Sequence, residues 1–169
     1  MYFKTERLIA RKLVQNDFTA FNNMQTNHCV MKHTLGRAKT IEENREELEN
    51  ILKIYTLNHT NKQIMGVVRK SDNMDMLIGT CAVINKASTR FEIGYRFSEE
   101  YWGSGYGLEI LEGLVTYCLT ELKAKEITAE VYKENVPSIR LLEKSSLEFV
   151  REYVEGDKKV LLYALIKKQ

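Results

Sequence analysis

Apolar residues run together or alternate in seven segments of the chain, and they recur at helical spacing in four others. The first group predicts strands at 7–13, 64–68, 77–84, 90–97, 127–132, 149–154 and 160–166. The helical patterns begin near residue 17 and at residues 40, 105 and 137, and the last two extend to residues 122 and 144. The order β-α-α-β-β-β-α-β-α-β-β predicts an α+β fold, in which residues 1–169 form one domain with a mixed central β-sheet flanked by helices.

Polar residues stand where the predicted helices begin. Thr40 and Glu43 have the spacing of a capping box, in which each side chain satisfies an amide at the helix terminus. Asn16 or Asp17 is placed to cap the first helix, and Asn135 is placed to cap the last.

The segment 90–97 alternates between two kinds of side chain, which is typical of a strand with two different faces. The apolar positions are Phe91, Ile93, Tyr95 and Phe97, and the positions between them are Glu92, Gly94 and Arg96. The first predicted strand, 7–13, mixes apolar and basic residues, which favours an edge or half-buried strand.

Composition and charge exclude several classes of protein. Proteins that bind nucleic acid usually have a concentrated basic face, and a net charge of only +2 in 169 residues does not suggest one, so we expect no nucleic-acid partner. No apolar run approaches the roughly 18 residues of a spanning helix, and residues 1–7 lack a signal-peptide pattern. We therefore expect a cytoplasmic protein without a membrane partner.

The cysteines and histidines do not have the spacing of a disulfide framework or a metal site. The cysteines are Cys29, Cys81 and Cys118, and the histidines are His28, His33 and His59. An odd number of widely spaced cysteines without a CxxC pair predicts no disulfides and no metal. His28 and His33 lie in an irregular segment, 27–39, where they either contact a substrate or are simply solvated.

The segment 101–108, Tyr-Trp-Gly-Ser-Gly-Tyr-Gly-Leu, follows a predicted strand and opens a helix. Glycines allow a ligand close to the backbone, and the free amides of a helix start favour a phosphate. An ordinary turn would look the same. The segment lacks the Gly-Lys-Ser/Thr ending of a P-loop, and Leu108 stands at the sixth position of a dinucleotide-binding fingerprint.

Four stretches together resemble the GNAT N-acetyltransferase superfamily, in the branch of the ribosomal-protein N-terminal (RimJ/RimL-like) acetyltransferases. They are 5–11, 92–95, 102–107 and 135–144, and they occur in the order of that family. The resemblance implies a GNAT-like domain with acetyl-CoA as co-substrate and a primary-amine acceptor.

The resemblance also implies roles for individual residues. The amides of the 102–107 loop would hold the coenzyme A pyrophosphate, the backbone around Tyr95 and Phe97 would pair with the pantetheine arm, and Asn135 and Ser138 would face the thioester end. Lys144 would reach the nucleotide phosphates. The residues of the loop are Trp102, Gly103, Ser104, Gly105, Tyr106 and Gly107.

The chain departs from the family pattern at three places. Trp102 stands where Gln or Arg is common, and Ser145-Ser146-Leu147 replaces a frequent Leu-Gly-Phe. Leu142 occupies the position at which some relatives carry a tyrosine acid.

Acetyl transfer to an amine requires a base for the amine and a donor for the departing thiolate. We expect Glu92 to be the base and Ser138 the donor, although each residue type at these positions is also common as an ordinary strand glutamate or helix-start serine. Tyr106 and Tyr132 are alternative acids. The amine could be a protein N-terminus, a polyamine, an antibiotic or an amino acid. A non-catalytic acyl-CoA sensor and another nucleotide-binding protein remain alternatives, and the oligomeric state is open.

Overall fold

The computed structural model describes residues 1–57, 60–72 and 76–167, so His59 lies outside the described residues. The strands are β1 (Phe3–Lys4), β2 (Leu8–Arg11), β3 (Lys62–Arg69), β4 (Leu77–Ala87), β5 (Arg90–Phe97), β6 (Glu126–Tyr132), β7 (Glu148–Glu155) and β8 (Lys158–Ile166). The α-helices are α1 (Phe18–Thr26), α2 (His28–Met31), α3 (Ile41–Ile54), α4 (Tyr106–Thr120) and α5 (Val136–Glu143). The predicted α+β class is confirmed.

All eight described strands belong to one sheet, in the order β1-β2-β3-β4-β5-β6-β8-β7. Among these neighbours only β5 and β6 are parallel, which makes the sheet mixed, as predicted. Their pairing covers three residues on each strand and ends at Glu92 and Thr128. Both strands continue beyond that point, so the sheet opens between them.

The two faces of the sheet carry different helices. On one face α4 packs against β5, and Ile110, Leu111 and Leu114 are fully buried there. On the other face α1, α2 and α3 enclose a second apolar cluster that includes Phe21 and Leu48. The opening between β5 and β6 therefore lies between two packed layers.

The structure differs from two predictions about local structure: that the first strand is an edge or half-buried strand, and that the side chain of Asn16 or Asp17 caps the first helix. Leu8, Ile9 and Ala10 are all buried, because β1 and β3 flank β2 and both faces of the sheet are covered. Asp17 stands at the N-cap position of α1, as predicted, but its side chain makes no cap hydrogen bond and instead forms an ion pair with Arg11 at 2.8 Å. The carboxylate also accepts a hydrogen bond from the Val14 amide, so it fastens the chain after β2.

The other two predicted caps are confirmed. The Thr40 hydroxyl accepts from the Glu43 amide at 3.2 Å, and the Glu43 carboxylate accepts from the Thr40 amide at 2.8 Å. The Asn135 side chain accepts from the Ser138 amide at 3.3 Å at the start of α5. No helix within the described ranges is long and apolar enough to cross a membrane.

Gly79 of β4 lies in close contact with the neighbouring strand β5, and a substitution there tests that contact. A Cβ at this position would lie 2.5 Å from the Arg96 carbonyl oxygen and 2.7 Å from the Phe97 ring. Because a backbone atom cannot move aside, we expect Gly79→Ala to lower the free energy of unfolding by about 1–3 kcal/mol. Denaturant unfolding measures the effect.

Gly94→Ala is the matched control, since a Cβ at Gly94 meets nothing within 4 Å. We expect its free energy of unfolding to change by about 0.5 kcal/mol or less. Equal losses in both variants would contradict the close contact at Gly79.

Candidate active site

A cavity of about 390 Å³ occupies the opening between β5 and β6. Its walls include Gly94 and Tyr95 from one strand and Glu130 and Tyr132 from the other. Since the pairing of the two strands ends at Glu92, the backbone of β5 from Ile93 onward has no strand partner on this side. An exposed strand edge of this kind can bind an extended ligand through main-chain hydrogen bonds.

The cavity reaches both faces of the sheet. Leu111 of α4 and Ser138 of α5 line it on one face. Phe21 of α1 and Glu47 of α3 line it on the other. Two reactants can therefore enter from opposite faces and meet between the strands.

The glycine loop before α4 has the conformation that glycine permits. Gly103 has φ +74° and Gly105 has φ +81°, and both values lie in the left-handed region that strains other residues. Within the described chain, the amides of Gly103, Ser104 and Gly105 donate no hydrogen bond to the protein. Together with the free amides of the first turn of α4, they form a helix start whose geometry favours an anion.

Trp102 differs from the rest of the loop. Its amide donates to the Glu99 carbonyl oxygen at 3.0 Å, and its indole Nε1 donates to the Phe97 carbonyl oxygen at 3.0 Å. Both N–H groups are thus used inside the protein. The loop amides that donate to no acceptor within the described residues therefore begin at Gly103.

Arg7 braces the loop from the side. Its Nη1 donates to the Ser104 carbonyl oxygen at 3.0 Å, and its Nε pairs with Glu109 at 2.7 Å. Its guanidinium also lies 4.6 Å from the centre of the Tyr106 ring. Burial raises the pKa of Glu109, but hydrogen bonds from Thr5 and Arg7 outweigh it and keep that pKa below its usual value. Sequence reasoning placed Arg7 only within the resemblance, because its partners lie about a hundred residues away.

Gly107 connects the loop to the cavity. A Cβ at Gly107 would lie 2.7 Å from Leu141 Cδ1 and 3.5 Å from the Tyr95 ring. Glycine here allows the first turn of α4 to approach both α5 and β5. The start of α4 and the open strand edge are consequently adjacent.

The Tyr95 hydroxyl is a buried polar group that forms no hydrogen bond within the described residues. Burial raises the pKa of Tyr95 to about 12. The Ser138 side chain lies close enough to oppose that rise, but the two hydroxyls do not have the geometry of a hydrogen bond. Tyr95 and Ser138 both line the cavity. An unpaired buried hydroxyl is costly unless a ligand satisfies it. Sequence reasoning assigned Tyr95 through its backbone and missed this side chain.

Of the remaining residues that were predicted to bind the cofactor or to react, some line the cavity and others do not. Asn135 lines it and caps α5, whereas Glu92 is not among the lining residues and pairs with Lys86 at 2.7 Å. Lys144 is exposed just beyond α5, at the end opposite Asn135. The Phe97 side chain is buried in the core next to Tyr106.

The alternative acids and the 27–39 segment also have definite places. Tyr132 lines the cavity, and Tyr106 stacks on Arg7 beside the loop. His33 lines the cavity, and burial lowers its pKa. His28 begins the short helix α2 inside a segment predicted to be irregular.

The Ser145-Ser146-Leu147 stretch closes the turn after α5 with side chains. The Ser145 hydroxyl donates to the Leu142 carbonyl oxygen at 2.7 Å and accepts from the Leu147 amide at 3.1 Å. The Ser146 amide and hydroxyl donate to Glu112 at 2.6 and 3.0 Å. None of the three has a positive φ, so this turn needs no glycine.

No three His, Cys, Asp or Glu side chains within residues 1–57, 60–72 and 76–167 come together as a metal site. Cys81 lines the cavity, but burial raises the pKa of its thiol, which keeps it protonated.

The left-handed glycines predict a distinct effect on ligand binding. Gly105→Ala should lower stability by about 1–2 kcal/mol, because a Cβ is strained there. The same strain turns the loop amides away, so we expect coenzyme A, the ligand implied by the resemblance, to bind about tenfold more weakly. Equilibrium titration measures the affinity.

Gly156→Ala is the control, since Gly156 also has a left-handed φ of +61° but lies in the β7–β8 turn and is not part of the glycine loop. The Gly156→Ala variant should lose about as much stability as Gly105→Ala and should bind coenzyme A as tightly as the unmodified protein. If both variants lost affinity equally, the effect would reflect general destabilisation and the loop would not be the binding site.

Comparison with known proteins places this geometry in a family. Residues 7–148 match the model of the acetyltransferase (GNAT) domain. An uncharacterized N-acetyltransferase p20 of Bacillus licheniformis is 27% identical over 98% of this chain and 96% of its own length. Since the family model covers most of the chain, its match carries the family assignment.

Two solved structures share the fold. One is an acetyltransferase (GNAT family) from Bacillus anthracis, with a TM-score of 0.85, 24% identity and 98% coverage of both chains. The other is spermidine N-acetyltransferase from Vibrio cholerae, in complex with CoA and spermine, with a TM-score of 0.78, 20% identity and 95% coverage of both chains. The fold is thus shared with these two structures over nearly the full length of each chain. The match of residues 7–148 to the family model shows that the chain belongs to the GNAT acetyltransferase family.

Proposed function

We propose that this protein transfers the acetyl group of acetyl-CoA directly to a primary amine while both are bound. The observation that carries this proposal is the open edge of β5 lying against the free amides of the Gly103–Gly107 loop. Acetyl-CoA supplies an activated thioester and a pyrophosphate on one extended arm. The edge fits the arm and the loop fits the pyrophosphate.

The binding residues follow from this placement. The amides of Gly103, Ser104, Gly105, Tyr106 and Gly107 bind the pyrophosphate. The backbone at Tyr95, continuing toward Phe97, pairs with the pantetheine arm. Asn135 fixes the start of α5 against the cavity. Lys144, exposed beyond α5, contributes a positive charge toward the nucleotide phosphates.

The amine enters from the face that carries α1, α2 and α3. Its nitrogen attacks the thioester carbonyl carbon, the new C–N bond forms, and the C–S bond breaks. Glu92 is the proposed base that takes the amine proton, through a water molecule. It lies on this face, immediately before the strands separate, and its ion pair with Lys86 holds it there.

Ser138 and Tyr95 act on the sulfur side. Ser138 lines the cavity at the first turn of α5, and the unpaired Tyr95 hydroxyl lies beside it. Both hydroxyls donate hydrogen bonds, so together they stabilise the developing thiolate. The Tyr95 hydroxyl supplies the donor that Leu142 cannot.

The identity of the acceptor amine decides which kind of N-acetyltransferase this protein is. The Vibrio cholerae enzyme is a spermidine N-acetyltransferase, which supports an amine acceptor for this fold. Membership in the ribosomal-protein N-terminal branch and location in the cytoplasm stay predictions.

Release of free thiol tests the reaction. We expect the protein to release coenzyme A thiol from acetyl-CoA only when a suitable amine is present, and to yield the N-acetyl product in equal amount. A thiol-reactive dye and mass spectrometry measure the two. Tight acetyl-CoA binding without thiol release for a broad amine panel would favour a non-catalytic sensor.

Glu92→Gln tests the base. The substitution removes proton-accepting ability and keeps the shape, so we expect kcat at neutral pH to fall about 10²–10⁴-fold with little change in acetyl-CoA affinity. The rate should recover at high pH, where the amine itself is deprotonated. A pH profile of kcat measures both effects.

Glu130→Gln is the control, because Glu130 is a carboxylate of β6 that lines the cavity. We expect less than a threefold change in kcat, because a carboxylate that only attracts the ammonium group of the acceptor acts through KM. A large loss in Glu130→Gln with an active Glu92→Gln would transfer the role of base to Glu130.

A further inference from the structure

Arg96 is an enclosed cation on the acceptor side of the cavity. It lies on β5, on the same face as Gly94, and lines the cavity. Its Nη1 donates to Gln25 Oε1 at 2.6 Å and contacts Met31 Sδ at 3.4 Å. Burial lowers the pKa of Arg96, but a guanidinium remains charged at neutral pH.

The charge of Arg96 has no carboxylate bonded to it within the described residues. Glu47, whose charge acts on Arg96, accepts hydrogen bonds from Lys39 Nζ at 2.6 Å and from Gln25 Nε2 at 2.7 Å. Burial raises the pKa of Glu47, but these hydrogen bonds outweigh it and keep it ionised. One carboxylate therefore serves two cations, and Gln25 separates it from Arg96.

Arg96 also keeps unused donors. A guanidinium has five N–H donors, and the contacts with Gln25 and Met31 use those of Nη1. Within the described chain, Nε and Nη2 donate to no protein atom. Thr80 lies opposite Arg96 in the β4–β5 register and, with Thr34, adds a hydroxyl to the same wall.

In addition to Glu47 and Arg96, both acidic and basic residues line the cavity. Glu130 of β6 and Glu155 of β7 line it across the opening from Arg96. Two further basic residues line it: exposed Lys62, and His33, whose pKa is lowered by burial. A small molecule with both an ammonium group and an anionic group matches this arrangement.

We propose that Arg96 binds a carboxylate of the acceptor, so that the acceptor is an amino acid or a similarly small amino acid derivative. This inference rests on the proposed acetyl transfer. The planar fork of arginine matches a carboxylate with two parallel hydrogen bonds. One guanidinium with neutral hydroxyls suits a single negative charge better than a phosphate dianion. A polyamine would bring an additional cation toward Arg96.

The experiment measures thiol release for matched acceptors. The panel contains the common amino acids, the carboxamide of each, 2-aminoethylphosphonate and spermidine. We expect the best amino acid to exceed its carboxamide at least tenfold in kcat/KM, mainly through KM. The phosphonate and spermidine should be poorer acceptors than the best amino acid.

Variants at Arg96 assign the preference to this residue. We expect Arg96→Met to bring the ratio of acid to carboxamide near one and Arg96→Lys, which keeps the charge but not the fork, to give an intermediate ratio. Arg37→Met is the control, because Arg37 pairs with Glu43 at the surface, and it should keep the ratio of the unmodified protein. Thermal stabilisation by coenzyme A checks that each variant is folded.

The outcomes separate the two proposals. Thiol release that favours carboxamides, spermidine or the phosphonate, or a preference that survives in folded Arg96→Met and Arg96→Lys, would overturn the carboxylate site alone. Absence of thiol release from every acceptor would overturn the proposed acetyl transfer, and the carboxylate inference with it.

Discussion

The end of hydrogen bonding between β5 and β6 is the constraint on which the site depends. Three residues of each strand pair, and beyond Glu92 and Thr128 the strands separate. A continuous sheet would leave no cavity and would satisfy the backbone of β5 internally. The separation persists because each strand has another partner along its outer edge, β4 for β5 and β8 for β6. The core on both faces supports the two halves, so the structure tolerates an unpaired edge where a ligand can bind.

The helices place functional groups around the opening between β5 and β6. The start of α4 places its free amides near the cavity because Gly107 permits close contact with Tyr95 and Leu141. The start of α5, capped by Asn135, places Ser138 on the same side. On the opposite face, Gln25 of α1 and Glu47 of α3 surround Arg96. The division of helices between faces thus separates the proposed binding of the acetyl donor from that of the acceptor.

Local features were predictable from sequence, and features that depend on distant partners were not. The Thr40 capping box, the Asn135 cap and the glycine turn follow from residues within a few positions of one another. The alternation in β5 predicted that the Arg96 and Tyr95 side chains would lie on opposite faces of the sheet. It could not predict that Arg96 would donate a hydrogen bond to Gln25. Nor could the local pattern predict that the Asp17 side chain would pair with Arg11 instead of capping α1. The opening of the sheet was equally hidden, since it requires knowing which strands are neighbours. The family resemblance supplied what local pattern could not, namely the expectation of a cofactor lying along β5.

Trp102 has a consequence of a different kind. It is the sole tryptophan of the 169 residues, it is half-exposed, and its indole is anchored to the Phe97 carbonyl oxygen at the junction of β5 and the glycine loop. Indole fluorescence from this protein therefore originates at one place, beside the loop amides, without a background from other tryptophans. The molecule carries a built-in optical probe of its loop, which needs neither labelling nor a mutation to follow local changes in solvent exposure there.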